Sequence, residues 1–167
     1  MAENESGLFR PLSQMSFVVT TDSEDAGTAA FSEVTGIEGS VDVIEFRQGN
    51  AGSMNHVKLP GLVKHGNVTL KFGYTESNAF KTWVMNCVNE QRSAIERVNL
   101  TIELIDTVNE DVGSGDLMES DGSGAKAWVL TNAWAAKYSG ADLNAGTSGV
   151  AMESVEIAYE KLTIPNG

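Results

Sequence analysis

The two-residue period is cleanest from Asn67 to Tyr74, where Val68, Leu70, Phe72 and Tyr74 fall on one parity and Asn67, Thr69, Lys71 and Gly73 on the other. Successive side chains of a strand point to opposite faces, so this stretch predicts a strand with one buried side. "VNLTIELI" from Val98 keeps the same period. "AWVLTNAW" sets Trp128, Leu130 and Trp134 on one side, and "ESVEIAYEKL" sets Val155, Ile157 and Tyr159 inward, with the carboxylates from Glu153 to Glu160 largely outward. "MSFVVTT" from Met15 and "AAFSEV" from Ala29 read as two further strands on their β-branched and apolar content, separated by the turn-like "DSEDAG". A helical period occurs once: Phe80, Trp83, Val84, Cys87 and Val88 form an apolar stripe, with Ser77 placed to cap it.

"SVDVIEF" breaks the pattern. Val41 and Val43 share one parity, then Ile44 and Phe46 take the other, which predicts a β-bulge near Val43. The polar, glycine-rich "RQGNAGSMNH" that follows is too long for a tight hairpin turn and predicts an extended loop over residues 47–57. Pro60 and Gly61 in "LPGL" punctuate the return, proline by fixing φ and glycine by permitting a change of direction. About seven strands and one helix predict an α+β, mainly β domain: an antiparallel β-barrel or sandwich with one flanking helix over an open end or edge. Residues 1–14 read as a loose N-terminal segment and residues 15–164 as a single domain, interrupted by an acidic insertion at 109–124.

Charge adds a second pattern. The chain has 11 Lys plus Arg against 23 Asp plus Glu, a net charge of −12. From Phe46 to Thr75 there is no carboxylate, while Arg47, Lys58, Lys64 and Lys71 all lie there; from Val98 to Ala125 there is no Lys or Arg, while Glu103, Asp106, Glu110, Asp111, Asp116, Glu119 and Asp121 lie there. Joined within one molecule, these segments only balance its surface. Joined between molecules, they give a heterologous head-to-tail contact that closes into rings or propagates as a filament. Charge alone leaves both open, because exposed ion pairs are individually weak. Sheet edges offer a second route to assembly, through strand pairing between copies. Net acidity argues against tight binding to a phosphate backbone.

Catalytic chemistry leaves no local signal. There is no G-x-S-x-G elbow, P-loop, dinucleotide fingerprint or H-E-x-x-H. His56 and His65 have no companion nucleophile in sequence and read as exposed or interface histidines. Cys87, the single cysteine, excludes an internal disulfide and reads as a small core residue on the helix stripe. "GSGDLMESDGSG" lacks EF-hand spacing, and two histidines with one cysteine leave few soft ligands for a structural metal. The expectation is no catalytic residue, no cofactor and no metal. Asn67-Val-Thr and Asn99-Leu-Thr match the glycosylation pattern but fall in predicted strands. No run reaches the ~20 apolar residues of a membrane helix, and "MAENESGLFRPL" lacks the pattern of a secretory signal, so folding in the cytoplasm without membrane insertion is expected.

Four blocks together carry a resemblance: "FSEVTGIEGSVDVIEFRQGN", "HVKLPGLVKHGNVTLKFG", "LTNAWAAKYSGADLNA" and "VAMESVEIAYEKL". Over Phe17 to Leu162 the chain resembles the tail tube proteins of contractile-tailed phages and of phage-derived injection particles, which are similar to the hemolysin-coregulated tube protein of type VI secretion. The matching positions are Phe31, Glu33, Val34, Gly36, Glu45, Lys58, Leu59, Pro60, Gly61, Lys64, Gly66, Asn67, Leu70, Lys71, Gly73, Asn132, Ala133, Trp134, Lys137, Tyr138, Leu143 and Glu153. Ala135 and Ala141 stand where the family commonly has proline, Phe72 stands where a basic residue is usual, and the 109–124 insertion is longer than expected.

The resemblance implies a β-barrel with one helix, assembled as hexameric rings stacked into an inner tube within a contractile sheath, with baseplate and tail-terminator proteins at its ends and DNA or protein cargo passing through. It implies assembly in the bacterial cytoplasm and release as part of a virion tail or injection particle. It also implies that the loop after Phe46 reaches neighbouring subunits, making Arg47, Gln48, Asn50, Asn55, His56, Lys58, Leu59, Pro60, Gly61 and Lys64 the expected subunit or ring interface. A ring-forming carrier of secreted effectors that makes no long tube is the alternative. Carboxylates on the bore would repel phosphates within a screening length of about 8 Å, so a neutral-to-negative lumen is expected.

Overall fold

The computed structural model describes residues 2–3, 9–10, 17–23, 28–29, 31–50, 52–73, 79–89, 95–104, 126–146 and 149–165. Met15, Tyr74, the Ser77 cap and the 109–124 insertion lie outside them, as does most of the expected N-terminal segment. Two short strands, β1 (Ala2–Glu3) and β2 (Phe9–Arg10), pair with each other.

The body is one eight-stranded antiparallel sheet curled into an open barrel. Its path runs from β4 (Thr28–Ala29) through β3 (Phe17–Thr21), β9 (Val98–Leu104), β10 (Lys126–Ser139), β11 (Met152–Ala158) and β8 (Val68–Gly73) to β5 (Glu33–Thr35), with β12 (Lys161–Thr163) also on β10. The predicted "AAFSEV" strand is two strands on opposite edges, β4 against β3 and β5 against β8. The reason is packing: between them the chain crosses the barrel, and Phe31 stands edge-on to Phe72 and Phe80 with ring centroids 5.9 and 5.1 Å away.

Strict alternation placed β8 correctly, with Val68, Leu70 and Phe72 buried. Helix α1 (Ala79–Asn89) buries Phe80, Trp83, Val84 and Cys87 against the sheet, but Val88 turns to solvent. Trp83 donates Nε1–H to the Glu96 carbonyl at 3.1 Å, so its one polar atom is satisfied in the core. Burial pushes the Cys87 thiol up, in keeping with a packing role.

β10 departs most from expectation. Asn132 adopts φ 53°, and two residues of β10, Thr131 and Asn132, oppose Asn99 of β9. This bulge reverses the parity: Leu130, Ala133 and Ala135 are buried together, and Trp134 lies on the opposite face to Leu130. Trp134 is instead covered by the Arg97 guanidinium, 4.8 Å from the ring centroid. A polar chain fixes the kink. Asp22 accepts from Asn99 N and Nδ2 at 2.8 and 2.7 Å, Asn99 Oδ1 accepts from Asn132 N at 3.2 Å, and Asn132 Nδ2 donates to Glu160 at 2.9 Å. Glu160 also pairs with Arg97, and the hydrogen bonds from Asn132 and Arg97 hold its carboxyl below the ordinary carboxylate value. Opposite the kink the predicted final strand is interrupted at Tyr159 and Glu160, giving β11 and β12.

Glu153 corrects a second expectation. It shares the inward parity of Val155 and Ile157 and is only 4% exposed. Lys81 Nζ and Tyr138 Oη both donate to its Oε1 at 2.8 Å, so a charge-assisted pair ties helix α1 to β10 and β11. Burial, then the bond to Glu153, pushes the Tyr138 hydroxyl up.

Candidate assembly surface

Among the described residues β6 (Gly39–Phe46) and β7 (Val57–His65) pair only with each other and form an arm set apart from the main sheet. Its root is held tightly. Gly36 has φ +86°, and a Cβ there would lie 2.5 Å from the Asn67 carbonyl oxygen. Only glycine fits this crossing without strain. Tyr159 Oη donates to the Glu38 carbonyl at 2.9 Å, and the His65 ring lies 5.2 Å from the Tyr159 ring. Eight residues of β6 at ~3.4 Å each carry the arm about 27 Å from root to tip.

The predicted irregularity at Val43 is present, but the extra residue sits in the facing strand. Val41 pairs Val63 and Val43 pairs Pro60, so Gly61 and Leu62 together oppose Asp42. Gly61 lies against Asp42, where a Cβ would come within 3.0 Å of the Asp42 carbonyl oxygen. Pro60–Gly61 is therefore a bulge inside β7 and not the turn expected from the sequence. An unpaired outer edge accepts proline, which needs no donor there.

Residues directly opposite in an antiparallel pair share a face, so the register sorts the arm's side chains. One face carries Ile44, Phe46, Val57 and Leu59 toward the tip and the Lys64–Asp42 ion pair (2.7 Å) toward the root. The other carries Val41, Val43, Pro60 and Val63 toward the root and Lys58–Glu45 (3.5 Å) toward the tip. Both faces are exposed: Val43 is 61%, Ile44 53%, Leu59 48% and Leu62 74% accessible. Apolar exposure of this extent on two sides of one hairpin is unusual for a surface that stays in water.

Each expected interface residue falls on this arm. Lys58, Leu59, Pro60, Gly61 and Lys64 lie in β7; Arg47, Gln48, Asn50, Asn55 and His56 lie in the tip and are exposed. Arg47 reaches Met54 Sδ at 3.6 Å, and the Asn55 amide donates to Ser53 Oγ at 3.2 Å. The cations of the acid-free stretch pair with neighbouring strands, Lys58 with Glu45, Lys64 with Asp42 and Lys71 with Glu33 at 2.8 Å. Charge balance at these three positions is thus intramolecular, and the acids involved are not those of residues 98–125. Sequence reasoning missed Val41, Val43, Ile44 and Phe46, which precede the expected contact stretch that begins at Arg47. The parity slip after Val43 was their signal.

Open concavities lie elsewhere among the described residues. A cleft of about 470 Å³ separates the barrel's unjoined edges, lined by Phe17, Ile102, Leu104 and Trp128 on one side and by Glu33 to Thr35 and Ile37 on the other. A second, of about 340 Å³, lies in the β10–β11 connection. Among the described residues no group of three or more His, Cys, Asp or Glu is placed to hold a metal ion, and no helix is long and apolar enough to cross a membrane.

The domain is thus an open antiparallel barrel with one covering helix and a projecting apolar hairpin. The same fold occurs in a chain of the anti-feeding prophage cap (AFP tube terminating cap), at TM-score 0.74 and 21% identity over 98% of this chain and 97% of that one. It occurs also in a chain of the PVC sheath-tube complex of an extracellular contractile injection system, at 0.71 and 22% over 92% and 90%. An Hcp protein matches at 0.53 and 12% over 89% and 90%. No curated protein sequence matches at a significant level. The family described as T4-like virus tail tube protein gp19 matches residues 13–163, and the chain belongs to it.

Proposed function

We propose that this chain is the non-catalytic subunit of the inner tube of a contractile tail or injection particle, in which hexameric rings stack around a lumen that conducts DNA or protein cargo. The observation that carries this is the arm: a hairpin apolar on both faces and exposed along its length, held on a root that only glycine fits, is the kind of surface that association with a second molecule covers. Unjoined edges at β4 and β5 supply strand pairing around a ring. The arm, from Arg47 to Lys64 with its partner strand, supplies contacts between copies. Contractile sheath, baseplate and tube-terminator proteins are the partners this role requires. The subunit is made in the bacterial cytoplasm and leaves the cell within the finished particle.

Electron microscopy of purified protein across rising concentration is the test. Hollow tubes or stacked rings are expected; a solution monomeric at every concentration and salt would overturn the proposal.

A further inference from the structure

The first rung of the arm pairs Gly39 with His65. Tyr159, buried at the break between β11 and β12, meets this root twice: its hydroxyl donates to the Glu38 carbonyl at 2.9 Å, and its ring lies 5.2 Å from the His65 imidazole at an interplanar angle of 31°. His65 Nδ1 is buried and has no hydrogen-bond partner. The ring edge that carries it rests on Gly39, where a Cβ would stand 3.2 Å from Nδ1 and 3.4 Å from Cε1. A side chain at position 39 would crowd the imidazole out of its seat.

A neutral ring tolerates this seat. With the proton on Nε2, the tautomer that an unpartnered Nδ1 implies, Nδ1 is an uncharged acceptor. A second proton turns Nδ1 into a charged donor, desolvated and with no acceptor in front of it. Histidine is the side chain that takes up such a proton between about pH 8 and about pH 5. The groups around the ring favour its release. The Glu38 carboxylate lies against Gly66, the residue after His65, in the space a Cβ there would need, and is an acceptor that an imidazolium can reach by turning out of its seat. Lys64, beside His65 in β7, is engaged with Asp42 at 2.7 Å. Tyr159 stays neutral over the same range, because burial pushes its hydroxyl up.

We infer that His65 is a proton-operated latch on the arm. Neutral, it packs on Tyr159 and fixes the direction in which β6 and β7 leave the barrel. Protonated, it exchanges the Tyr159 ring for the Glu38 carboxylate, and the arm pivots about its remaining tie at the Glu38 carbonyl. The latch is closed on the alkaline side of the histidine range and open on the acid side. It is a property of the single subunit and stands or falls apart from the tube proposal.

Spin labels on Gly52→Cys at the tip, where an added side chain meets nothing, and on Thr82→Cys on the exposed side of α1 read the arm's direction as a distance in dilute full-length protein; Cys87 is buried and stays unlabelled. One narrow distance distribution is expected at about pH 8, and one roughly twice as wide at about pH 5. His65→Phe keeps a ring against Tyr159 but takes no proton, so its distribution should stay narrow at both. His56→Gln, at the exposed tip, should broaden as the parent does. Glu38→Gln should move the broadening to lower pH, because the released imidazolium loses its acceptor. A parent distribution equally narrow or equally wide at both pH values would overturn the latch, as would acid broadening in His65→Phe or an unchanged midpoint in Glu38→Gln. The parent series and Glu38→Gln decide the matter should His65→Phe fail to fold.

Discussion

Replacing Ile44 and Leu59 together by serine isolates the contribution of one arm face to assembly. The two are direct partners across β6 and β7, lie on the tip-side apolar face, and are 53% and 48% exposed in the free subunit. Fully burying a side chain of this kind is worth about 1.5–3 kcal/mol, so covering the exposed half of each gives about 0.75–1.5 kcal/mol, or about 1.5–3 kcal/mol for the pair. At tenfold per ~1.4 kcal/mol, the critical concentration for tube growth should rise roughly 10- to 150-fold. Neither residue belongs to the buried core, so the monomer's melting temperature should stay within a degree or two of wild type, the usual outcome for a surface substitution. Pelleting assays over a concentration series give the first number and circular dichroism the second. An unchanged critical concentration would show that this face remains solvated in the tube. A large drop in melting temperature would show that the arm belongs to the fold and not to the interface.

Lys58→Glu with Lys64→Glu places like charges beside Glu45 and Asp42; folded monomers without tube growth are expected, and normal tubes by negative stain would contradict this. Lys81→Ala leaves the Glu153 carboxylate buried with Tyr138 among its remaining partners, a loss of about 3 kcal/mol in urea unfolding, whereas Glu153→Gln should cost less because Lys81 can turn toward solvent. Glu160 is held below the ordinary carboxylate value of 4.5, so its contribution is present above that pH and is lost as pH falls through the lower folded value; thermal melting against pH should show a shallower acid limb for Glu160→Gln. Gly36→Ala should destabilise the fold by at least 1–2 kcal/mol, read from chemical denaturation, because φ is positive and the added Cβ meets the Asn67 carbonyl.

Elements whose pattern follows one rule were legible in the sequence. β8 and the buried stripe of α1 each keep a single period and a single buried face, and β9 keeps its period through Val98, Leu100 and Ile102 although Glu103 on the other parity is buried as well. β10 was not, because Asn132 reverses the parity midway while apolar residues occupy both parities on either side of it, so no slip shows. "AAFSEV" hid a crossing between sheet edges that only the packing of Phe31 between Phe72 and Phe80 explains. Pro60–Gly61 has the chemistry of a turn, and its place inside β7 depends on that strand having a free edge. The candidate surface was half visible. Its cations and tip residues stood out against an acidic chain, while its apolar members sit on both parities, which in a lone sequence reads as a strand buried on both sides.

β10 has one consequence beyond parity. Its fourteen residues bond β9 and β12 along one half and β11 along the other, so both halves of the barrel are stitched to the same length of backbone. Opening either half therefore frees backbone that is continuous with the strand holding the other, so a cut near Asn132 would sever the one length of chain that both halves share.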